Sequence, residues 1–270
     1  MRGTSRASLA GAKERLAAVL ADGADPGRLG DELFAVTGLL DAEGGLRRML
    51  SDPTQQARAK AGLVRALLGP RIAPFTLSVV TTLVGERWSE SGDLPDAAEQ
   101  LAVLSVVEVA DRDGKLDDLE DELFRFGRVV NGEPELRSAL SGPFIPAQRK
   151  RELLDALLAG KVTGPTLRLV TQAAVHPRGR SLDVSLDEYA RLAAERRERL
   201  VAVVHVAVEL TAEQRRRLAA ALAASYGHDV HLNVVLDPRV VGGMSVQISG
   251  ELIDGSVASR LAGLRRRLAS

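Results

Sequence analysis

Apolar residues recur at helical spacing through the first 180 residues of the chain. In two segments they fall at positions i, i+3 and i+4, which lie on one face of an α-helix and predict a buried stripe. The residues of this stripe are Leu63, Ala66 and Leu67 in one segment and Leu153, Ala156 and Leu157 in the other. Turn- and break-forming residues separate the helical segments, at 22–27, 44–45, 51–53, 69–74, 111–114, 131–134, 141–146 and 160–165. The pattern predicts two helical bundles in tandem, each with about five or six helices.

Beyond residue 180 the helical spacing gives way to alternation of apolar and polar residues. A helix is predicted over 186–199, and the alternating run at 201–210 then predicts a strand. Thr211 can cap the next helix while Gln214 reaches back to it, and Leu218 with Leu222 forms the buried stripe of that helix. Two more alternating runs and a final amphipathic segment complete a β-α-β-β-α order. The residues predicted to face inward are Ala202, Val204, Val206 and Val208 in the first strand, Val230, Leu232, Val234 and Leu236 in the second, Met244, Val246 and Ile248 in the third, and Val257, Leu261, Leu264 and Leu268 in the last helix.

The helical part of the sequence repeats itself. Residues 31–84 align without a gap on residues 121–174, an offset of 90, and 20 of the 54 positions are identical. Chance in a chain of this composition would give about 5 identities. The run Asp-Glu-Leu-Phe stands at 31–34 and again at 121–124. Because equivalent core residues dictate equivalent packing, we predict two similar bundles rather than a solenoid of short repeats, joined at 88–95.

Composition narrows the partners and the chemistry. The 36 basic residues are balanced by 36 acidic ones, without the basic excess of general nucleic-acid binders, so we expect protein partners and no nucleic acid. The absence of cysteine excludes disulfides, thiolate zinc sites and cysteine nucleophiles. No apolar run approaches the roughly 20 residues that span a bilayer, and no signal peptide is predicted. Any membrane association is therefore expected to be indirect, through a partner.

The C-terminal part of the chain carries a long motif. From Val230 it runs V-H-L-N-V-V-L-D-P-R-V-V-G-G-M-S-V-Q-I-S-G-E-L-I-D-G-S-V-A-S-R-L. This motif resembles the delta subunit family of ATP synthase, which includes the mitochondrial oligomycin-sensitivity-conferring protein. Its characteristic residues are Asp237, Pro238, Gly242, Gly243, Val246, Ile253, Asp254, Gly255 and Ser256. The resemblance covers residues 95–270, so the first 90 residues are interpreted as an extra copy of the family's N-terminal helical domain.

Together these patterns predict a mainly α fold with a small α+β domain. We expect a helical bundle at 1–90 as the extra copy and a family-like helical bundle at 91–180. A linking helix and a small β-α-β-β-α domain are expected at 181–270.

The glycines and acids of the motif predict backbone geometry rather than catalysis. Gly242 and Gly243, between two strands, permit a positive φ or a bulge where the chain changes direction. Asp254 with Gly255 predicts a turn whose aspartate caps the last helix. These residues are therefore expected to act structurally.

Catalytic and cofactor sites are not predicted. The Gly-Lys pairs at 114–115 and 160–161 are not followed by Ser or Thr, as a phosphate-binding loop requires. His228 and His231 are a pair of histidines at a turn and on a polar strand face, and such a pair is more often solvated than bound to a metal. We expect no enzyme activity, no cofactor and no metal in the chain.

The resemblance implies a function that the residues alone do not. It implies a peripheral-stalk, or stator, subunit that binds the N-terminal helices of the α subunits of the α3β3 catalytic head and a b-type stalk subunit. Such a subunit lies at the cytoplasmic face of the cell membrane as part of the complex. Two alternatives of other classes are a helical scaffold or regulatory adaptor unrelated to energy conversion, and a small-molecule enzyme.

The position of the head-binding site is ambiguous because the helical domain is duplicated. Helix-in-groove recognition needs an exposed apolar channel, and the resemblance implies one between the first and fifth helices of a bundle. These helices are predicted near 97–110 and 166–175 in the second copy, and near 11–20 and 75–84 in the first. We expect the second copy to keep the family role. The residues expected to line its channel are Leu101, Leu104, Leu167 and Val170. Two alternatives stay open: these residues form bundle core, which has the same spacing, or the first copy binds the head.

Overall fold

The computed structural model describes residues 3–197, 200–226, 230–237, 243–248 and 251–254. The chain forms two compact units, which divide between residues 194 and 195. Helices make up the first unit and continue to residue 197. They are α1 (Gly3–Ala21), α2 (Pro26–Ala42), α3 (Gly44–Ser51), α4 (Ala57–Leu68), α5 (Pro74–Gly85), α6 (Asp93–Arg112), α7 (Leu116–Gly132), α8 (Pro134–Ser141), α9 (Ala147–Leu158), α10 (Gly164–Val175) and α11 (Leu182–Arg197).

Polar side chains fix the start of two of these helices by accepting hydrogen bonds from free backbone amides. At α2, Asp25 accepts from the amides of Gly27 (2.8 Å) and Arg28 (3.3 Å). At α10, the hydroxyl of Thr163 accepts from the amide of Thr166 (3.3 Å). Because the first-turn amides have no partner within the helix, these caps define where each helix begins.

The sequence repeat is matched by a repeat of helices within the first compact unit. Helices α1–α5 form the first bundle and α6–α10 the second, and α2–α5 have the same bounds as α7–α10 after 90 is subtracted. The following helix, α11, takes the place after the second bundle that α6 takes after the first. The mainly α fold class is therefore correct.

The buried stripe of α4 and α9 is not the one predicted. Val64 and Leu154 are buried, whereas Leu67 and Leu157 are 44% and 37% exposed. The main contacts of α4 are with α5, and those of α9 are with α10. Because one neighbour covers only a narrow strip of a helix, apolar residues one turn further along stay at the surface. Both copies show the same exposure at these positions, as duplication requires.

Two hydrophobic clusters fill the first unit, and α6 contributes to both. The first cluster draws on α1–α5, on Trp88 and on the N-terminal half of α6. The second draws on the C-terminal half of α6, on α7–α10 and on α11. Leu101 belongs to the first cluster and Val103 to the second, so the change occurs within one turn of α6. The helix is consequently buried along most of its length.

The second unit contains a four-stranded sheet with a helix between its first two strands. Strand order is β2-β1-β3-β4, with β1 and β2 parallel and the other pairs antiparallel. The predicted capping box of α12 is confirmed: the Thr211 amide donates to Gln214 (2.8 Å), and the Gln214 amide donates to the Thr211 hydroxyl (3.2 Å). The elements are β1 (Leu200–Val206), α12 (Ala212–Tyr226), β2 (Val230–Leu236), β3 (Met244–Ile248) and β4 (Glu251–Asp254).

Strand β4 corrects the prediction for the end of this unit. Asp254, predicted to cap the last helix from a turn, ends β4 and pairs with Ser245. An Asp-Gly pair marks a change of direction, which is equally compatible with the end of a short strand. Residues 255–270, with Gly255, Ser256 and the predicted helix, lie outside the described residues.

The predicted inward faces of the strands are largely confirmed. The buried members are Val204, Val206, Val230, Val246 and Ile248. The prediction is wrong for Val208 and Leu236, which are 77% and 54% exposed. Val208 lies beyond the end of β1, and Leu236 is the last residue of β2, so neither is covered by a following strand position. The side chain of Ala202 lies outside the described part of the chain.

Among the residues that the structure describes, none of the helices combines the length and apolar character needed to cross a bilayer.

Candidate functional site

The four residues predicted to line a partner channel lie at the junction of the two bundles. Leu101 is fully buried in the first cluster, and Val170 is fully buried in the second. Leu104 and Leu167 are half-buried, and Leu104 packs against both clusters. The structure therefore does not bring the four side chains together in one open channel, and only Leu104 and Leu167 keep accessible surface.

Helix α2 of the first bundle lies against α6 at this junction. A Cβ atom at Gly30 would meet Val106 Cγ2 at 3.2 Å and the Ala102 carbonyl oxygen at 3.3 Å. Such contacts are shorter than ordinary van der Waals separation, so the absence of a side chain at Gly30 allows the two helices to approach closely. Phe34, one turn further along α2, packs against both clusters. The first bundle thus covers the first helix of the second.

A groove of about 490 Å³ remains between α2 and α10. On the α2 side its wall is made of Phe34, Asp31 and two small residues, and on the α10 side Leu167 contributes to it. Small residues in a wall let the backbone of a bound helix approach closely. The lining residues are Asp31, Phe34, Ala35, Gly38, Arg151, Gly164, Leu167, Arg168, Thr171, Gln172, Val175 and His176. The lining thus combines apolar residues with polar and charged ones, which suits an amphipathic helix.

Arg168 connects the two walls of the groove. Its guanidinium donates to the carbonyl oxygen of Gly27 (2.8 Å) and pairs with the carboxylate of Asp31. At the other end of α10, burial and the neighbouring Arg151 hold the pKa of His176 below its ordinary value. The imidazole is therefore expected to be neutral at pH 7, leaving Arg151 as the positive charge of this part of the lining.

A group of charged side chains from several elements converges on Glu99 of α6. Glu99 accepts hydrogen bonds from Arg178 (2.5 Å), from the Tyr189 hydroxyl (2.7 Å) and from Arg180. Only 3% of the Glu99 side chain is exposed. Arg178 also pairs with Asp41 of α2 (2.5 Å) and Asp96 of α6 (2.9 Å). We call these six residues the Glu99 cluster: Asp41, Asp96, Glu99, Arg178, Arg180 and Tyr189.

The pKa shifts in the Glu99 cluster follow from burial and pairing. Burial lowers the pKa of Arg178, but the hydrogen bond to Asp41 and the charges of Glu99, Asp41 and Asp96 outweigh it, so the net shift is upward. Burial raises the pKa of Asp96 more than Arg178 lowers it. Burial and the adjacent Glu99 raise the pKa of Tyr189, so its hydroxyl stays protonated and donates. Arg178 therefore stays protonated, and the Tyr189 hydroxyl donates to Glu99.

Sequence reasoning missed the Glu99 cluster because its members are remote along the chain. Asp41 and Arg178 are 137 residues apart. The offset of 90 between the two copies does not help either, because the residues 90 positions from the cluster members are of other types. The local signal was His-Pro-Arg-Gly-Arg at 176–180, a turn-forming loop with two arginines.

In each bundle a glutamate of the second helix accepts hydrogen bonds from residues at the start of the fifth helix. We call this arrangement the glutamate hook. In the first, Glu32 accepts from the Ala73 amide (2.9 Å) and the Thr76 hydroxyl (2.5 Å). In the second, Glu122 accepts from the Thr163 amide (2.9 Å) and the Thr166 hydroxyl (2.5 Å) at the equivalent positions. Because charge-assisted hydrogen bonds are stronger than neutral ones, each hook fixes the start of the fifth helix on the second.

The hook of the first bundle predicts a response to acid. Burial raises the pKa of Glu32, but hydrogen bonds from Thr76, Arg28 and Ala73 outweigh it, so the net pKa lies below the ordinary value of 4.5. A folded-state pKa below the unfolded one contributes stability above the unfolded value, and this is lost as pH falls through the folded value. We expect Glu32→Gln to be less stable than the parent at neutral pH, with the gap closing as pH falls. Thermal unfolding between about pH 6 and pH 3 measures this, and a gap independent of pH would contradict it.

The motif residues in the second unit that the structure describes have structural positions. Gly243 has a positive φ of 80°, as predicted from its place between two strands. Val246 is buried at the centre of the sheet, opposite Val204 on one side and Ile253 on the other. The amide of Asp237 donates to the Val206 carbonyl oxygen (2.9 Å), extending the β1–β2 pairing. Pro238, Gly242, Gly255 and Ser256 lie outside the described residues.

Comparison with known proteins gives consistent matches. A family model described as ATP synthase delta (OSCP) subunit matches residues 103–268. ATP synthase subunit delta of Streptomyces avermitilis is 51% identical over 269 residues, which cover 99% of this chain and 98% of the relative. ATP synthase subunit delta of Thermobifida fusca is 47% identical over 269 residues, which cover 100% of this chain and 100% of the relative. Among solved structures, a chain of the Toxoplasma gondii mitochondrial ATP synthase hexamer covers 62% of this chain and 95% of its own length, at 18% identity and a TM-score of 0.28, too weak a likeness to carry an argument.

Proposed function

The chain belongs to the ATP synthase delta (OSCP) subunit family, and from this premise we propose that it links the α3β3 catalytic head to a b-type stalk as a stator subunit. The observation that carries the proposal is the family match over residues 103–268, which includes most of the second bundle and the second unit. The relatives named ATP synthase subunit delta extend over the first bundle as well.

In this role the chain acts mechanically rather than chemically. The turning central rotor exerts torque on the catalytic head, and the stalk must resist it. Tight binding and a stiff body meet that demand without a catalytic residue or a cofactor. In the Glu99 cluster the charges pair with one another and Glu99 itself is buried, which is typical of a structural ion network.

We propose that the N-terminal helix of a head α subunit occupies the groove between α2 and α10. This keeps the predicted role of the second copy but replaces α6 with α2 as one wall, because α2 covers α6. Leu167 and Phe34 face this groove, whereas Leu101 and Val170 are buried away from it. Arg151 in the groove lining favours an acidic residue at the edge of the bound helix, whereas Arg168 is already paired with Asp31.

Leu167→Asp is expected to weaken binding of an α-subunit N-terminal peptide to the full chain by at least about tenfold, which is 1.4 kcal/mol. A carboxylate in the apolar wall would lose its hydration when the helix docks. Isothermal titration calorimetry on the folded variant measures the change. Leu157→Asp, on a half-exposed leucine outside the groove, is the control and should leave the affinity unchanged.

Leu77→Asp decides between the two copies, because Leu77 stands 90 positions before Leu167 and is likewise half-buried. Loss of affinity in Leu77→Asp with none in Leu167→Asp would move head binding to the first bundle.

The remaining proposals concern the stalk and the membrane. We propose that a b-type stalk subunit is the second partner, and that the assembled complex holds the chain at the cytoplasmic face of the membrane. Affinity purification of the tagged chain from solubilised membranes, followed by mass spectrometry, tests both. Recovery of head and b-type subunits is expected. Recovery of the chain without either of them would favour the alternative of a scaffold or regulatory adaptor unrelated to energy conversion.

A further inference from the structure

We infer that the two helical copies fold as one cooperative body, coupled through the shared helix α6 and the Glu99 cluster. The alternative is the separate folding of residues 1–90 and 91–180 that the sequence repeat predicts. The inference concerns residues 3–194 alone and does not depend on which partner they bind.

The first step is the position of α6. Leu94, Ala97 and Leu101 of this helix belong to the first cluster and are fully buried there. Val106 and Ala110 of the same helix are fully buried in the second cluster. A boundary at 90/91 would therefore remove part of the core of the first bundle. Neither bundle can lose α6 without exposing apolar surface, so unfolding of one removes support from the other.

The second step is the close contact between α2 and α6. The helix approach at Gly30 leaves no room for a Cβ without displacement of Val106 or of the Ala102 backbone. Arg168 of α10 spans the junction and is bonded to Gly27 and Asp31 of α2. Dense packing of this kind transmits displacement rather than absorbing it.

The third step is the Glu99 cluster, which joins the two bundles at the opposite end of α2. Asp41 comes from α2 of the first bundle, Glu99 from the shared helix, and Arg178 from the loop after the last helix of the second bundle. The φ of Arg178 is 51°, a left-handed conformation that is unfavourable for a residue with a side chain. Its ion pairs with Asp41, Asp96 and Glu99 hold it there, because such strain persists only where the surroundings determine it.

The cluster belongs to the junction and not to either repeat. The residues 90 positions before Glu99, Arg178 and Arg180 are Leu9, Trp88 and Glu90. The residue 90 positions after Asp41 is Asn131. By contrast, the glutamate hooks and their threonines are the same in both bundles. Residues that stabilise one bundle are thus repeated, whereas those of the Glu99 cluster occur once, where the bundles meet.

The chain provides its own probe for the test. Trp88 is the sole tryptophan of the sequence, is 4% exposed in the first cluster and donates to the Leu83 carbonyl oxygen (3.0 Å). Its fluorescence during urea unfolding of the full chain therefore reports on the first bundle. Leu154 lies in the second cluster, on α9, and Val64 occupies the equivalent position in the first.

One cooperative body predicts that Leu154→Ala shifts the Trp88 midpoint to lower urea, as Val64→Ala does. Separate folding predicts that Val64→Ala shifts the midpoint and Leu154→Ala leaves it at the parent value, which would overturn the inference. Leu154→Val gives the same comparison with a smaller cavity if Leu154→Ala does not fold.

The Glu99 cluster is tested by repeating the comparison in Asp41→Asn, which removes the first-bundle charge and leaves the Arg178–Glu99 pair. The Trp88 shift caused by Leu154→Ala should then shrink about twofold or more, since the two sites lose part of their coupling. Asp121→Asn, which breaks an ion pair with Arg125 inside α7, is the matched control and should leave the shift unchanged. A shift of the parent size in Asp41→Asn would exclude the cluster as a coupling element.

Discussion

Leu33→Ala and Leu123→Ala are each expected to lower the free energy of unfolding by about 2–5 kcal/mol. Both side chains are fully buried, at equivalent positions of the two copies of Asp-Glu-Leu-Phe. Truncation to alanine removes buried methyl groups and leaves a cavity that the bundle fills only in part. Urea denaturation followed by circular dichroism and by Trp88 fluorescence measures the loss.

The neighbouring phenylalanine of the second copy supplies the control for this pair. Phe124 is 58% exposed, so Phe124→Ala should change the free energy of unfolding by no more than about 0.5 kcal/mol. A near-neutral Leu123→Ala, or a Phe124→Ala as damaging as Leu123→Ala, would contradict the assigned burial of α7.

Gly30→Leu is expected to lower the free energy of unfolding by about 1–3 kcal/mol, because α2 must withdraw from α6 to admit the side chain. The clash involves the Ala102 carbonyl oxygen as well as the Val106 side chain, and a backbone atom cannot rotate away. Chemical denaturation of the variant measures the loss.

Gly38 on the same helix provides the matched comparison, since a Cβ there would meet no atom within 4 Å. Gly38→Ala is expected to raise the free energy of unfolding by about 0.5–1 kcal/mol through helix propensity. A Gly30→Leu variant with an unchanged free energy of unfolding would show that α2 does not lie against α6.

Much of the helical architecture follows from the sequence for a physical reason. Apolar periodicity and breaker residues are local properties, and the offset of 90 transfers each inference from one copy to the other. The capping box of Thr211 and Gln214 is local in the same sense. Periodicity does not show how much of a helix face a neighbouring helix covers. The exposure of Leu67 and Leu157 was therefore not predicted.

The candidate site was less predictable because it depends on contacts between the copies. Leu101 and Leu104 have helical spacing whether they face a core, a groove or another bundle. The structure decides this by placing α2 over α6, and the contact at Gly30 is visible only in three dimensions. The pairing of Asp41 with Arg178 is likewise a long-range contact, with no local pattern to announce it.

The sharing of α6 also bears on how such a chain can grow in evolution. Helix α6 closes the first bundle and opens the second, and α11 follows the second bundle at the equivalent place. A duplication of one period therefore brings five new helices, and the sixth is already present at the end of the preceding copy. An inserted copy of the helical domain can therefore pack against a helix that is already present at its boundary, and it needs no new linker. Length variants are then expected to differ by whole periods, with breakpoints before a helix that occupies the place of α1, α6 or α11.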